Sequence, residues 1–295
     1  TPAEVLLTIP SDPYAPSVST AAINVVNGIS PLMPVSLRIA ATGHYLAASD
    51  YGASGLSNDP QSSTFTVLPA APYGLQLLLP GQTAVPGSGN YPSGGVTGSI
   101  STPTAGASFA ATVNLVDRYM NLSPAGARPL VYTNTNDQYD IDPATTALIG
   151  GTLPVNVTLV SKSTTTVIRV NPQDSVPDQV CTANGPSNVC LAQAPAAVSV
   201  PFRVFAAPAL RLQVTLPGET QKPGKCDFLP GVVCRTLAPA EGLPGKDGAP
   251  SDYIVTSPAM TADVWLVDQF YNPVSDIAVG PNQDTNPPAV MPTVR

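Results

Sequence analysis

Four cysteines, one histidine and a single run of asparagine and aspartate are the side chains in this 295-residue sequence whose chemistry could build a site. The cysteines form two close pairs, Cys181 with Cys190 and Cys226 with Cys234. Neither pair has Cys-x-x-Cys spacing or a nearby histidine, which sets both apart from zinc ligands. Two local disulfides fit the spacing, and they predict an oxidising, extracytoplasmic location. His44 stands between Gly43 and Tyr45. Partners of a Ser/His/Asp site meet in space rather than in sequence, but this context predicts a polar turn residue, and no catalytic residue is expected. Asn134, Asn136, Asp137, Asp140 and Asp142 fall within nine residues. Oxygen-rich clusters of this kind hold calcium. The run lacks the glycine and the terminal glutamate of an EF-hand loop. An Asx-rich turn is therefore predicted, with calcium at Asn136, Asp137, Asp140 and Asp142 as the competing reading and no other cofactor.

Several smaller patterns carry a structural expectation beside a functional one. Asp117 precedes Asn121 by four residues, and Asp268 precedes Asn272 by the same interval. The repetition predicts a structural task, capping the turn that follows. Asn121-Leu-Ser123 and Asn156-Val-Thr158 fit the glycosylation pattern. Gly242 to Pro250 reads as three collagen triplets, too few for a triple helix, so a proline-glycine loop is expected. Trp265 and Tyr119 are placed to meet a sugar or, more ordinarily, to shield a sheet or a domain junction.

The elements that position these residues emerge from internal repetition. Leu75-Gln-Leu-Leu-Leu-Pro-Gly81 returns 137 residues later as Leu212-Gln-Val-Thr-Leu-Pro-Gly218, and Phe65-Thr-Val67 returns at the same offset as Phe202-Arg-Val204. Phe109 to Asn121 returns 151 residues later as Met260 to Asn272, and Val35-Ser-Leu37 returns 122 residues later as Val157-Thr-Leu159. The growth of the offset marks two inserted stretches, and each holds one cysteine pair. The disulfides are thus expected as local clips on surplus loops.

Within the repeated stretches apolar residues alternate with polar ones. Phe109, Ala111, Val113 and Leu115 share one face, as do Met260, Ala262, Val264 and Leu266, and Val155, Val157 and Leu159. Val198, Val200, Phe202 and Val204 do likewise, with Pro201 marking an edge strand. A period of two with one apolar face describes antiparallel sheets buried on one side. Composition agrees. There are 35 prolines and 23 glycines, 43% of residues are hydrophobic, and only 11% are charged. Such a chain forms few helices. Its net charge of −7, without a basic stripe, argues against nucleic acid. No apolar run approaches the roughly 20 residues that span a bilayer.

Ala105 to Asn121 resembles the Ala-Gly…Phe…Val-x-Val-x-Asp-x-x-x-Asn stretch of bacterial immunoglobulin-like repeats, which are similar to filamin-type domains. Gly150 to Leu159 resembles the glycine-led strand that follows in those repeats. The resemblance implies tandem immunoglobulin-like β-sandwiches, with partial repeats over 1–70 and 208–295 flanking a complete one over 71–207. It also implies a non-catalytic structural role in a cell-surface or extracellular fibre. Partners would be neighbouring repeats or copies of the chain itself, since the partial repeats fit either a piece of a longer array or ends that complete each other head to tail between molecules. An adhesin or carbohydrate-binding module, with a glycan as partner, is the alternative, and a secreted hydrolase ranks third.

Overall fold

The computed structural model describes residues 3–16, 23–51, 55–57, 61–124, 130–173, 196–227, 233–254 and 260–274. Cys181 and Cys190, the first of the two expected disulfides, both lie outside the described residues. The described chain is almost wholly β. In its first segment β1 (Ala3–Thr8) is flanked by β2 (Ile23–Val25) and β3 (Ala47–Asp50). The middle segment contains β4 (Gly74–Leu78), β5 (Thr83–Ala84), β6 (Val96–Thr97), β7 (Ser108–Val116), β8 (Leu130–Thr135) and β9 (Thr146–Ala147). It continues with β10 (Thr152–Thr158), β11 (Ser163–Thr166), β12 (Ile168–Gln173), β13 (Ala197–Val198) and β14 (Phe202–Val204). The last segment holds β15 (Arg211–Thr215), β16 (Glu219–Gln221), β17 (Lys246–Gly248) and β18 (Asp263–Val267). Among the described residues no helix is long and apolar enough to cross a membrane.

The middle segment is sandwich-like. A sheet ordered β10-β7-β4 faces one ordered β13-β12-β8-β9, and every pairing within them is antiparallel. Alternation fills the space between them: Ala111, Val113 and Leu115 of β7 and Val155 and Val157 of β10 point into one apolar cluster. Val131, Ile168 and Val170 meet them from the opposite sheet. Pro154, which cannot donate to a ladder, lies on the edge strand β10.

One expected strand is divided. Val198 belongs to β13 and pairs with β12, whereas Phe202 and Val204 belong to β14 and pair with β11. Pro201 sits in the crossing between the two sheets. It supplies no amide to either ladder, so the run breaks there and leaves Val198 and Val200 exposed while Phe202 and Val204 are buried. The collagen-like stretch is also more ordered than a loop, since Lys246–Gly248 forms β17 against β16.

Backbone pairings in the outer segments match those of the middle one. Val5↔Ile23 and Leu7↔Ala48 in the first segment correspond to Val131↔Thr146 and Thr133↔Val170. The β15–β18 ladder corresponds to β4–β7, with Leu212↔Leu266 standing where Leu75↔Leu115 stands. The β16–β17 pair occupies the place of β5–β6.

Candidate functional site

Asp117 follows directly on β7, and its carboxylate receives four hydrogen bonds. Oδ1 accepts from the amides of Tyr119 at 2.8 Å and Asn121 at 3.0 Å. Oδ2 accepts from the Ala70 amide at 3.0 Å and from Asn121 Nδ2 at 2.9 Å. Asn121 then reaches into the first segment. Its Nδ2 donates to the Arg38 carbonyl at 2.8 Å, and its Oδ1 accepts from the Ala40 amide at 2.8 Å. Both side chains are buried. A buried carboxylate is tolerated only with such a full set of donors, and bonds to a charged acceptor are stronger than neutral ones.

The same assembly stands between the middle and last segments. Asp268 Oδ1 accepts from the Phe270 amide at 2.8 Å and the Asn272 amide at 2.9 Å. Its Oδ2 accepts from the Ala207 amide at 2.8 Å and Asn272 Nδ2 at 2.9 Å. Asn272 Nδ2 donates to the Val160 carbonyl at 2.8 Å, and its Oδ1 accepts from the Lys162 amide at 2.7 Å. Each partner is displaced along the chain by the offset already read from its neighbourhood. In both turns the residue before the asparagine is left-handed without being glycine, Met120 at φ 65° and Tyr271 at φ 64°. A side chain adopts that conformation at a cost, which the surrounding hydrogen bonds must offset.

The clasped loops are also gripped from their own side. Asp12 Oδ2 accepts from the amides of Arg38 at 2.6 Å and Ile39 at 3.0 Å, and Oδ1 from Tyr14 at 3.1 Å. Asp137 Oδ2 accepts from the amides of Val160 and Ser161, both at 2.7 Å. Its Oδ1 accepts from the Tyr139 amide at 3.1 Å and Ser161 Oγ at 2.6 Å. One segment's aspartate and the next segment's asparagine thus hold successive polar groups of one short stretch of backbone. Gly87 and Gly224, at φ 78° and 73°, back onto these loops. A Cβ on Gly87 would come within 2.5 Å of Ile39, and one on Gly224 would overlap Ser161.

The second junction carries more than the first. The Phe270 ring is buried over Gly106, in the same apolar cluster as the middle segment's core. Of the two expected disulfides, that of Cys226 and Cys234 is formed, whereas Cys181 and Cys190 fall outside the described residues. The Cys226–Cys234 bridge is no local clip, because both sulfurs are buried in that same cluster. Arg235, beside it, packs over the Tyr139 ring at 5.3 Å and donates from Nε to the Gln138 carbonyl at 2.7 Å. Glu241 takes the Arg235 fork at 2.8 and 2.6 Å, and that contact chiefly draws its carboxyl down to about 2. Lys225 is fully buried, and its ammonium donates to the Glu241 carbonyl, the Lys246 carbonyl and Asp247 Oδ1. Three acceptors saturate its three protons.

The remaining candidates resolve individually. Asp137 spends both oxygens on the clasped loop. Asp142 accepts from the Thr135 amide at 3.0 Å and Tyr132 hydroxyl at 3.1 Å. Asn136 bonds Thr165 and Val167. Asp140 accepts from Thr135 Oγ1 at 2.8 Å, and burial, reinforced by the charge of Asp137, raises its carboxyl to about 7. These bonds are those of an Asx-rich turn. Among the described residues no three His, Cys, Asp or Glu side chains gather as a metal site. His44 is not a loop residue. It is buried, pairs with Phe65, and engages Ser11 Oγ at 3.1 Å and the Ile39 carbonyl at 2.9 Å through its two ring nitrogens. Asn121 is consumed by the junction and offers no free amide for glycosylation, while Asn156 is exposed on β10. Trp265 donates its indole N–H to Thr215 Oγ1 at 2.9 Å. Tyr119 lies beneath the Arg38 guanidinium at 5.4 Å, across the first junction.

Comparison with protein-family models, with curated proteins and with solved structures yields no match. Sequence reading singled out the Asp–Asn pairs but missed Asp12, the alanine amides and the two glycines. Asp12-Pro-Tyr14 and Asp137-Gln-Tyr139 were a usable signal, being alike at a spacing of 125 residues.

Proposed function

We propose that this chain is a non-catalytic structural protein of an extracellular or cell-surface fibre. In this reading it is built of tandem immunoglobulin-like β-sandwich repeats, and its task is to hold successive repeats at a fixed relative orientation. The observation that carries the proposal is the duplicated junction. Neighbouring domains on one chain move relative to each other unless a large or specific interface prevents it. Here a buried Asp–Asn pair links a linker amide to the backbone of the preceding segment, and the arrangement recurs bond for bond at the next boundary. A surface loop free to bind ligands would keep its polar groups available. These loops give theirs to the adjoining segment. The buried disulfide and the Arg235–Tyr139 contact add apolar and cationic support at the second boundary. The buried sulfurs also suit an oxidising location.

Small-angle scattering on the full chain tests this reading. The wild type is expected to fit a single arrangement of its segments, and an Asn121→Leu/Asn272→Leu variant to require a broad ensemble. A wild type that already needs a broad ensemble overturns it.

A further inference from the structure

The two ends of the described chain expose complementary halves of one sandwich. In the middle segment Leu75 is 2% exposed and Leu115 is fully buried. Their counterparts in the last segment, Leu212 and Leu266, are 69% and 42% exposed. Val214 and Met260 are likewise exposed where Leu77 is buried and Phe109 half-buried. The β15–β18 ladder therefore presents an apolar face that its sequence equivalents cover in the middle segment.

The first segment offers the opposite half. Val5, Leu32, Val35, Leu46 and Ala48 line an open apolar groove of about 380 Å³. Val35, Leu46 and Ala48 correspond at an offset of 122 to Val157, Ile168 and Val170, Leu32 corresponds to Val155 at the 123 set by the hairpin bridges Val26↔Ile29 and Ile149↔Thr152, and Val5 corresponds by its pairing to Val131; all five counterparts are buried in the middle core. In that core the groove positions are filled by Leu75, Leu77, Val113 and Leu115, from β4 and β7. Residues 30–37 match β10, which pairs with β7, yet they belong to no strand, and Leu32 is fully exposed. The first segment thus has the seat for a β4–β7 ladder, and the last segment has such a ladder unseated.

We infer that the groove of the first segment binds the β15–β18 ladder of a second copy of this chain. The middle segment supplies the register. There Thr152 faces Asn114, Leu153 faces Val113 and Val155 faces Ala111. Transferred by the 123-residue offset that the hairpin bridges Val26↔Ile29 and Ile149↔Thr152 set here, one more than at Val35, and by the 151-residue offset of β7, Ile29 of one copy faces Trp265 of the next, Ser30 faces Val264, and Leu32 faces Ala262. Leu212, Val214 and Leu266 enter the groove. The contact is heterologous, so the end that donates differs from the end that receives, and repeated addition builds a linear polymer. The exposed apolar face and the β18 edge, which pairs among the described strands with β15 alone, are covered in the same step. This inference rests on the repeat reading proposed above, but not on rigidity at the junctions.

Two experiments on the full chain test it. In the first, Ile29→Cys and Trp265→Cys are combined, with Ile29→Cys and Asp263→Cys as the two-residue misregister. Oxidation is expected to give a disulfide-linked ladder from the first pair and at most a trace from the second. No ladder, or equal ladders, overturns the proposal. In the second, a Leu212→Asp/Leu266→Asp chain and a Val35→Asp/Leu46→Asp chain are followed by light scattering beside the wild type. The wild type is expected to grow in mass with concentration. Each variant alone should associate at least about 100-fold more weakly, because an unpaired buried carboxylate is strongly disfavoured. An equimolar mixture should form one-to-one dimers, since one intact donor and one intact seat remain. A wild type that stays monomeric, or variants that never pair, overturns the proposal. A monomeric wild type with a single scattering conformation would leave the spacer reading standing, and polymers with flexible junctions would do the reverse.

Discussion

Asp268 and Asn272 are joined twice, the Asn272 backbone amide donating to Oδ1 and its side-chain amide to Oδ2, each at 2.9 Å. Asp117 and Asn121 repeat both bonds at 3.0 and 2.9 Å. The pair couples the end of one strand to a linker and to the preceding segment, so its loss propagates across a boundary. Asn272→Leu strands the buried Val160 carbonyl, the Lys162 amide and one donor to Asp268. Leaving buried polar groups unpaired costs about 1–3 kcal/mol each. Calorimetry should show Asn272→Leu lowering stability by about 2–4 kcal/mol, with hydrogen exchange rising first at the amides of residues 160–162. Unchanged protection there would contradict the assignment.

Gly224 tests the closeness of the boundary independently. Gly224→Ala places a methyl group into Ser161 at a left-handed backbone position, and Gly87→Ala does the same against Ile39. Each should destabilise by more than the ~1 kcal/mol typical of alanine at a positive φ alone. An alanine at Gly28, also at a positive φ of 81° but in a two-residue hairpin turn with open space around it, supplies that reference. Equal losses at all three positions, read from denaturant midpoints, would show that the glycines do not mark close contacts.

Asp140 gives a pH signature. Its folded carboxyl titrates near 7, against 3.8 for the free group, so the folded chain binds the proton more tightly than the unfolded one. The contribution is fully present below about pH 4 and is lost as pH rises through 7. At ~1.4 kcal/mol per pH unit of displacement, wild type should lose a few kcal/mol across that window relative to Asp140→Asn. Parallel stability curves for the two proteins between pH 4 and 8 would refute this.

Reducing Cys226–Cys234 should matter beyond its own loop. Chain entropy alone assigns about 2–3 kcal/mol to a closed loop of this size. Because both sulfurs lie in the shared core cluster, a Cys226→Ser/Cys234→Ser variant should also expose Tyr139 and Phe270 to solvent quenching. A stability loss with unchanged fluorescence and exchange at Tyr139 would make the disulfide the purely local clip that its spacing suggested.

The alternation of β7 and β10 and the three offsets were legible because a pleated strand with one buried face imposes a period of two. The burial of His44 was not, since it depends on the pairing with Phe65, twenty-one residues away. The split at Pro201 followed from the lost amide, but which sheet received each half depended on tertiary pairing. Alternation over residues 260–266 predicted an inward face for Met260, Ala262, Val264 and Leu266, yet Val264 is half-buried and the other three are exposed, because a strand pattern states which face is apolar and not whether anything covers it. Asp117 and Asp268 were visible as a repeated pair; that they reach across a boundary was not, because Ala70, Ala207, Arg38 and Val160 contribute only backbone, and backbone partners leave no mark in side-chain identity.

The central claim, that these boundaries are held rigid by the Asp–Asn pairs, is tested most directly by a distance across the second one. Spin labels at the exposed residues Asn156 and Ala249, in chains diluted with unlabelled protein, report the spread of separations between middle and last segments. The wild type should give one narrow distribution that broadens several-fold with Asn272→Leu. A broad distribution in the wild type, unaffected by that substitution, would contradict it.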